Sequence, residues 1–227
     1  MANFLELCQS VARESGTVTG GQPTAVVGQT GRLLKIVRFT AQAWRKIQLM
    51  RTDWRWMRRE FAKDTIVNTE AYTAASWGIK DLGSWLDTSP LFCTKAGESA
   101  QTQTQLIYVP WNEFRATTRR SYAEAGRPSY WSVRPGDNAL MLAPKPDGVY
   151  SLEGEYHKSV QTLSLDTDTP EFHTDHHDII VWRALLLLNE HDEAGEAAAT
   201  ASREYGELLS ALMDRELDSP SFGGPLA

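Results

Sequence analysis

Apolar positions recur at helical spacing at both ends of this chain and at strand spacing in its middle. Phe4, Leu7, Cys8 and Val11 repeat at i, i+3 and i+4, the mark of an amphipathic helix. Asn3, with Glu6 three residues on, is a capping-box pattern, and Ser15-Gly16 closes the helix. The next stretch, 16–31, holds Gly16, Gly20, Gly21, Gly28, Gly31 and Pro23 and reads as a loop, ordered or mobile. Thr30 is placed to cap a second helix, whose stripe is Leu33, Leu34, Val37, Ala41, Trp44 and Ile47 or Gln48. Lys35, Arg38, Arg45 and Lys46 lie mostly off that stripe. The helix would run for about five turns, with one apolar and one basic face.

From about Phe61 to Leu165, β-branched and aromatic residues dominate. Thr65-Ile66-Val67, Gln105 to Val109 and Tyr130 to Val133 are strand-like. Ala139 to Ala143 and Val149 to Tyr156 are the clearest strands. Pro144-Lys145-Pro146-Asp147-Gly148 reads as a turn between them and Arg134 to Asn138 as a turn before them, so the segment is expected to form an antiparallel meander. A short helix over Trp111 to Ala125, ended by Gly126, interrupts the strands. Helical spacing then returns. Pro170 and Thr174 or Asp175 open a segment through Ile179, Trp182, Arg183, Leu186 and Leu187. A second helix, Ala194 to Leu217, carries the stripe Ala194, Ala197, Ala201, Tyr205, Leu208 and Leu212. Ser219 to Ala227, with Pro220, Gly223, Gly224 and Pro225, is expected to be an extended tail.

The predicted fold class is α+β: a helical bundle from the N- and C-terminal helices, an inserted antiparallel β module and an extended C-terminal tail. The expected boundaries are 1–60, 61–165, 166–218 and 219–227. A chain of 227 residues, 41% hydrophobic, can bury a sizeable core. No apolar run approaches the roughly 18 residues of a membrane helix, since Arg183 interrupts Ile179 to Leu188, and no secretory signal is visible. Cys8 and Cys93 lie too far apart in sequence for a metal motif and read as reduced core thiols in a cytosolic setting.

Net charge is −6, unevenly spread. Between Arg32 and Lys63 the only acids are Asp53 and Glu60 among many Lys and Arg. Between Asp166 and Asp218 the only Lys or Arg are Arg183, Arg203 and Arg215 among many acids. Faces of opposite sign meeting within one subunit would explain this. So would a basic face of one subunit meeting the acidic face of a neighbour, which would fix their orientation.

Three constellations invite chemistry. His173-Thr174-Asp175-His176-His177-Asp178 has donors for a metal, with His173 and His177 on one helix face. It has no Glu general base of the H-E-x-x-H kind, and its position suits a helix start, where Asp favours the macrodipole. The Gly20 to Gly31 loop lacks the Gly-Lys-Ser/Thr and preceding strand of a phosphate loop. Arg51-Thr52-Asp53-Trp54-Arg55-Trp56-Met57-Arg58-Arg59 interleaves aromatics with Arg, which suits stacked bases, but also core anchors or a protein interface. The pI of 5.4 weighs against a general DNA binder. No Ser–His–Asp or Cys–His signature is present. The C-terminal acids, Asp166, Asp168 and Glu171 among them, read as a solvated face.

Several motifs together carry a resemblance. They are Phe4-Leu5-Glu6-Leu7-Cys8, Gly28-Gln29-Thr30-Gly31, Ala41 to Gln48 and Asp53-Trp54-Arg55-Trp56-Met57, with His176 to Leu185 near the other end. The chain resembles the tailed-bacteriophage head-to-tail adaptor (connector, neck) proteins. That resemblance implies a structural virion protein without catalysis or cofactor. It implies a ring, usually dodecameric, that docks under the portal protein, passes viral DNA without specific binding and joins a downstream neck, stopper or tail protein. Such a protein sits in the virion neck, is assembled in the bacterial cytoplasm and has no membrane partner. Under this reading Arg45, Arg51, Arg55, Arg58, Arg59, Pro220, Phe222 and Leu226 serve subunit or portal contacts, and Trp44, Trp54, Trp56 and Trp182 are core. An acidic lumen would let DNA slide. The alternatives are a nucleic-acid-binding protein using the basic helix and Trp/Arg segment, and a metal-dependent hydrolase at His173, His176 and His177.

Overall fold

The computed structural model describes residues 2–16 and 21–217. In chain order these form α1 (Phe4–Glu14), α2 (Gly31–Leu49), β1 (Arg58–Asp64), β2 (Ala71–Tyr72), β3 (Leu82–Trp85), β4 (Leu91–Lys95) and β5 (Thr104–Tyr108). A helical arm follows: α3 (Trp111–Glu113), a π turn (Phe114–Thr118) and α4 (Arg119–Ser121). Then come β6 (Tyr130–Arg134), β7 (Ala139–Ala143), β8 (Tyr150–Lys158), α5 (Asp178–His191) and α6 (Gly195–Glu216). The protein is α+β. It divides into a helical unit, 1–56 with 160–227, and a β unit, 57–159.

In the helical unit, the Asn3 side chain accepts from the Glu6 amide at 2.8 Å and Glu6 accepts from the Asn3 amide at 2.9 Å, a complete capping box. Gly16, at φ 67°, follows the C-cap Ser15. Thr30 stands at the N-cap of α2 without a side-chain cap bond. The buried face of α2 is Ile36, Val37, Thr40, Ala43, Trp44, Ile47 and Gln48, rotated from the predicted stripe. Leu33, Leu34 and Ala41 are only half-buried. The rotation is tolerated because both polar members are satisfied: the Thr40 hydroxyl donates to Ile36 O, and Gln48 bonds to the main chain of Gln161. α5 packs against α1, α2 and α6, so it is apolar nearly all round, as a central helix must be. On α6, Ala201, Tyr205 and Leu212 are buried, while the predicted Ala197 is exposed.

The β unit is one curled eight-stranded sheet, in the order β1-β8-β4-β5-β6-β7-β2, with β3 also on β8. Curling lets every strand contribute to one core. Phe61, Tyr72, Trp85, Cys93, Leu106, Trp131, Leu140 and Leu152 meet there, together with Trp77. On the other face of β7, Met141 and Ala143 lie beneath Phe114 of the helical arm, so β7 is buried on both sides.

Four expectations for this region need correction. The strand placed at Thr65-Ile66-Val67 is instead Arg58–Asp64, and Ile66 and Val67 are exposed. Its backbone pairs with β8 along all of β1, and burial of Phe61 alone anchors an otherwise polar strand. The turn Arg134 to Asn138 does join an antiparallel pair, β6 and β7. β7 and β8, however, do not pair. The segment Pro144 to Gly148 carries the chain across to β8, which pairs with β1, β3 and β4. The sheet is not wholly antiparallel, because β5 and β6 run parallel, as a strand–helix–strand crossover permits. The helix at Trp111 stops at Ser121, before Gly126, which instead bridges to Pro146.

Gly83 sits at a register shift between β3 and β8. A Cβ there would stand 2.7 Å from Lys158 O and 2.9 Å from His157 O, so the obstacle is backbone and cannot swing away. Gly83→Ala should cost about 1–3 kcal/mol, read as a lower urea midpoint at unchanged slope. An unchanged midpoint would mean that β3 can leave β8 freely.

Candidate assembly surface

The predicted interface cations fall into differing surroundings. On α2, the exposed face carries Arg32, Lys35, Arg38 and Arg45. Arg32 reaches Asp192 at 2.5 Å and Lys35 Nζ lies 3.3 Å from His191 Nε2. At this end of α2, basic and acidic segments meet within one helical unit. Arg32 and His191 together hold the Asp192 carboxyl below its usual range. Arg45 is exposed, with no partner among the described residues.

In the Trp/Arg segment, Arg51 holds Asp53 bidentately at 2.8 and 3.0 Å. Trp54 is fully buried; its indole N–H donates to Ile47 O at 3.0 Å. Its ring stacks on Trp56 at 4.3 Å, and Trp56 reaches Phe172. A platform for bases needs open ring faces, and these rings are spent on the helical unit. Arg55 is exposed. In the β unit, Arg58 is half-buried at the start of β1 and Arg59 is exposed. Pro220, Phe222 and Leu226, with the whole expected tail at 219–227, lie outside the described residues.

Trp44 is core, stacked on Phe172 at 4.8 Å. Trp182 is a correction: it is only half-buried, because α5 turns Ile179, Ile180, Ala184, Leu187 and Leu188 inward. Beside it, the Arg183 guanidinium lies 5.1 Å from the centre of the Tyr205 ring.

Asp166 and Asp168 do not form a solvated face. Asp166 accepts from the Val26 amide at 2.6 Å, and Asp168 accepts from the Ser164 and Leu165 amides at 2.6 and 2.8 Å. Their own carbonyls accept from Leu5 and Phe4 at the start of α1. These amide bonds hold the Asp168 carboxyl below its usual range. The same contacts order the Gly-rich loop over 21–31, where Val26 is buried and Gln9 donates to Pro23 O.

The His cluster is scattered. His173 Nδ1 lies 3.1 Å from Asp175 and is exposed. His177 is buried, stacked on Phe172 at 5.3 Å, with Nε2 3.3 Å from Phe172 O. Among the described residues no group of three or more His, Cys, Asp or Glu is placed to hold a metal ion, and no helix is long and apolar enough to cross a membrane.

Sequence reading missed one surface. The outer face of β1, β8 and β4 forms an open groove of about 750 Å³ around Glu60, Ala62, Phe92, Glu153 and Glu155. The signal was present: Glu153-Gly154-Glu155 inside a predicted strand puts both carboxylates on one face.

Burial pushes the Cys8 thiol up to about 12 and that of Cys93 up to about 11. The thiolate is the reactive form, so neither should be labelled by an aromatic disulfide reagent at about pH 8, whereas both should react once urea unfolds the chain. Rapid labelling of the folded protein would contradict this burial.

Desolvation lowers the His177 pKa, outweighing the bonds and the Asp178 charge that raise it. The unfolded chain therefore takes up this proton first. The stability carried by the neutral ring is complete above about pH 6.5 and is lost as the pH falls through the lower folded value. The melting temperature of the wild type should fall more steeply than that of His177→Gln between about pH 7 and about pH 5. Equal slopes would show that His177 does not titrate differently on folding.

The family model described as SU10 adaptor protein matches residues 2–227, and the chain belongs to that family. No curated protein matches it.

Proposed function

We propose that this member of the SU10 adaptor protein family is the structural head-to-tail adaptor of a tailed phage. In this reading it is a virion component. Copies form a ring, dodecameric by the resemblance, that docks under the portal, lets DNA pass through its lumen and offers a platform to the next neck, stopper or tail protein. The helices at the two chain ends form one bundle, and the tail at 219–227 reaches the portal. Catalysis and cofactors play no part.

The observation that carries this reading is the family match over nearly the whole chain. The geometry is compatible with it. Arg45, Arg55 and Arg59 are exposed on their own units, where desolvation against an acidic partner would make them specific. Arg51 is already engaged by Asp53, so it would act with its carboxylate as a pair. The tail, with Pro220, Phe222 and Leu226, would add contact area on the portal. Unlike charges on different segments favour head-to-tail contacts, which close when the rotation permits.

The test is the mass of the purified protein in solution, alone and with the portal ring of the same phage. A closed ring, formed alone or on the portal, is the expected result. A monomer that ignores the portal and binds DNA with a steep salt dependence would replace this reading with the nucleic-acid one.

A further inference from the structure

The acidic groove of the β unit is electrostatically incomplete. Glu60 and Glu155 are direct partners in the β1–β8 register, and Glu153 lies opposite both Ala62 and Phe92. Like charges directly opposite on a sheet are destabilising. Among the described residues, the only bonds to these carboxylates are from neutral donors: Ser89 to Glu155 at 2.8 Å and Gln103 to Glu153 at 3.2 Å. No cation pairs with any of the three among the described residues. Protection of a sheet edge explains charge on an edge strand such as β1. It does not explain Glu153 and Glu155, because β8 has partners on both sides. Phe92 and Ala62 give the groove an apolar floor between its carboxylates.

The same unit carries the complement. The helical arm Trp111–Ser121 bears Arg115, Arg119 and Arg120, all exposed, against one acid, Glu113. Arg119 is held by Glu70. Arg115 and Arg120 have no partner among the described residues. Arg115 lies in the π turn and Arg120 in α4 directly after it.

Groove and arm do not pair with each other within one copy among the described residues. The groove lies on β1, β8 and β4, whereas the arm covers β6 and β7 toward the other end of the strand order. Resting on the ring reading above, we propose that the arm of one copy docks in the acidic groove of the next. Arg115 and Arg120 pair with Glu60, Glu153 and Glu155, and a guanidinium lies over Phe92. Because the two surfaces differ, the contact is heterologous. Each copy then has one free groove and one free arm, so copies add head to tail until the ring closes.

The test uses charge reversal in the full chain. One variant carries Glu60→Lys and Glu155→Lys; the other carries Arg115→Glu and Arg120→Glu. Each alone should lose the assembled species seen for wild type by light scattering. An equimolar mixture should regain it, since every groove then meets an arm of opposite sign, and so should a chain carrying all four changes. All changed residues are exposed or half-buried, and thermal melts check that each variant folds. Glu60→Lys alone, which removes a like-charge pair, should not lower the melting temperature.

Assembly of both reversed variants at wild-type strength would overturn this contact while leaving the ring reading intact. Loss that mixing does not restore, with folding preserved, would also overturn it. Loss of portal capture without loss of self-assembly would assign the groove to the portal instead. A wild-type chain that stays monomeric even on the portal would overturn the contact and the ring together.

Discussion

The helical unit is interrupted by more than a hundred residues, and its integrity rests on how the returning chain is received. Gln161 does this. Its main-chain N–H donates to Gln48 Oε1 at 2.8 Å and its carbonyl accepts from Gln48 Nε2 at 3.0 Å, so the buried Gln48 on α2 treats it as a strand would. The Gln161 side chain accepts from the Trp44 indole and donates to Thr169 O. Each buried polar group in this set has a partner, the condition under which such networks specify one geometry. Trp44 is thereby fixed for stacking on Phe172, and Phe172 in turn meets Trp56 and His177. One amide exchange thus sets the register of the strap from 160 to 172. The strap carries Asp166 and Asp168, which cap the start of α1 and the loop before α2.

The β unit uses another device. Its core aromatics bury their rings and spend their polar atoms on loops. The Trp77 indole donates to Asp64 O, and the Trp85 indole to Asn138 O. The Tyr72 hydroxyl donates to the 66–69 turn and accepts from it, and Tyr150 and Tyr156 donate to Asp147 and Asp81. Core packing and loop position are therefore one property. A change that loosens a ring also frees the turn above it, so the surface offered to partners inherits its rigidity from the interior.

What could be read from the chain follows from the range of the interactions involved. The capping box at Asn3 and Glu6 and the β6–β7 hairpin are local, and their residues declare them. β1 was missed because Arg58–Asp64 has one buried position, Phe61, so alternation is invisible, and what makes it a strand is β8, distant in sequence. The β7–β8 connection misleads for a related reason. A Pro–Gly turn says that the chain bends and not whether the two sides pair. Asp166 and Asp168 look like solvated acids until Val26 and the start of α1 are placed beside them. Trp182 fails because a helix buried nearly all round leaves hydrophobicity unable to tell which face is out.

The same limit governs the assembly surface. Counting charges makes Arg51 and Arg115 equivalent, yet Arg51 is neutralised by Asp53 two residues away and Arg115 by nothing among the described residues. Three acids in the groove look equally unremarkable in composition, and only register puts Glu60 opposite Glu155. A charge with a partner in its own fold already makes part of its electrostatic contribution there, and a new partner must displace the first. A charge without one retains it for association, where water exclusion strengthens it. Specificity in association then lies in what the fold leaves unpaired. In the β unit those groups lie in the groove on β1, β8 and β4 and on the arm over β6 and β7, and two unlike surfaces on one copy are what a head-to-tail contact would use.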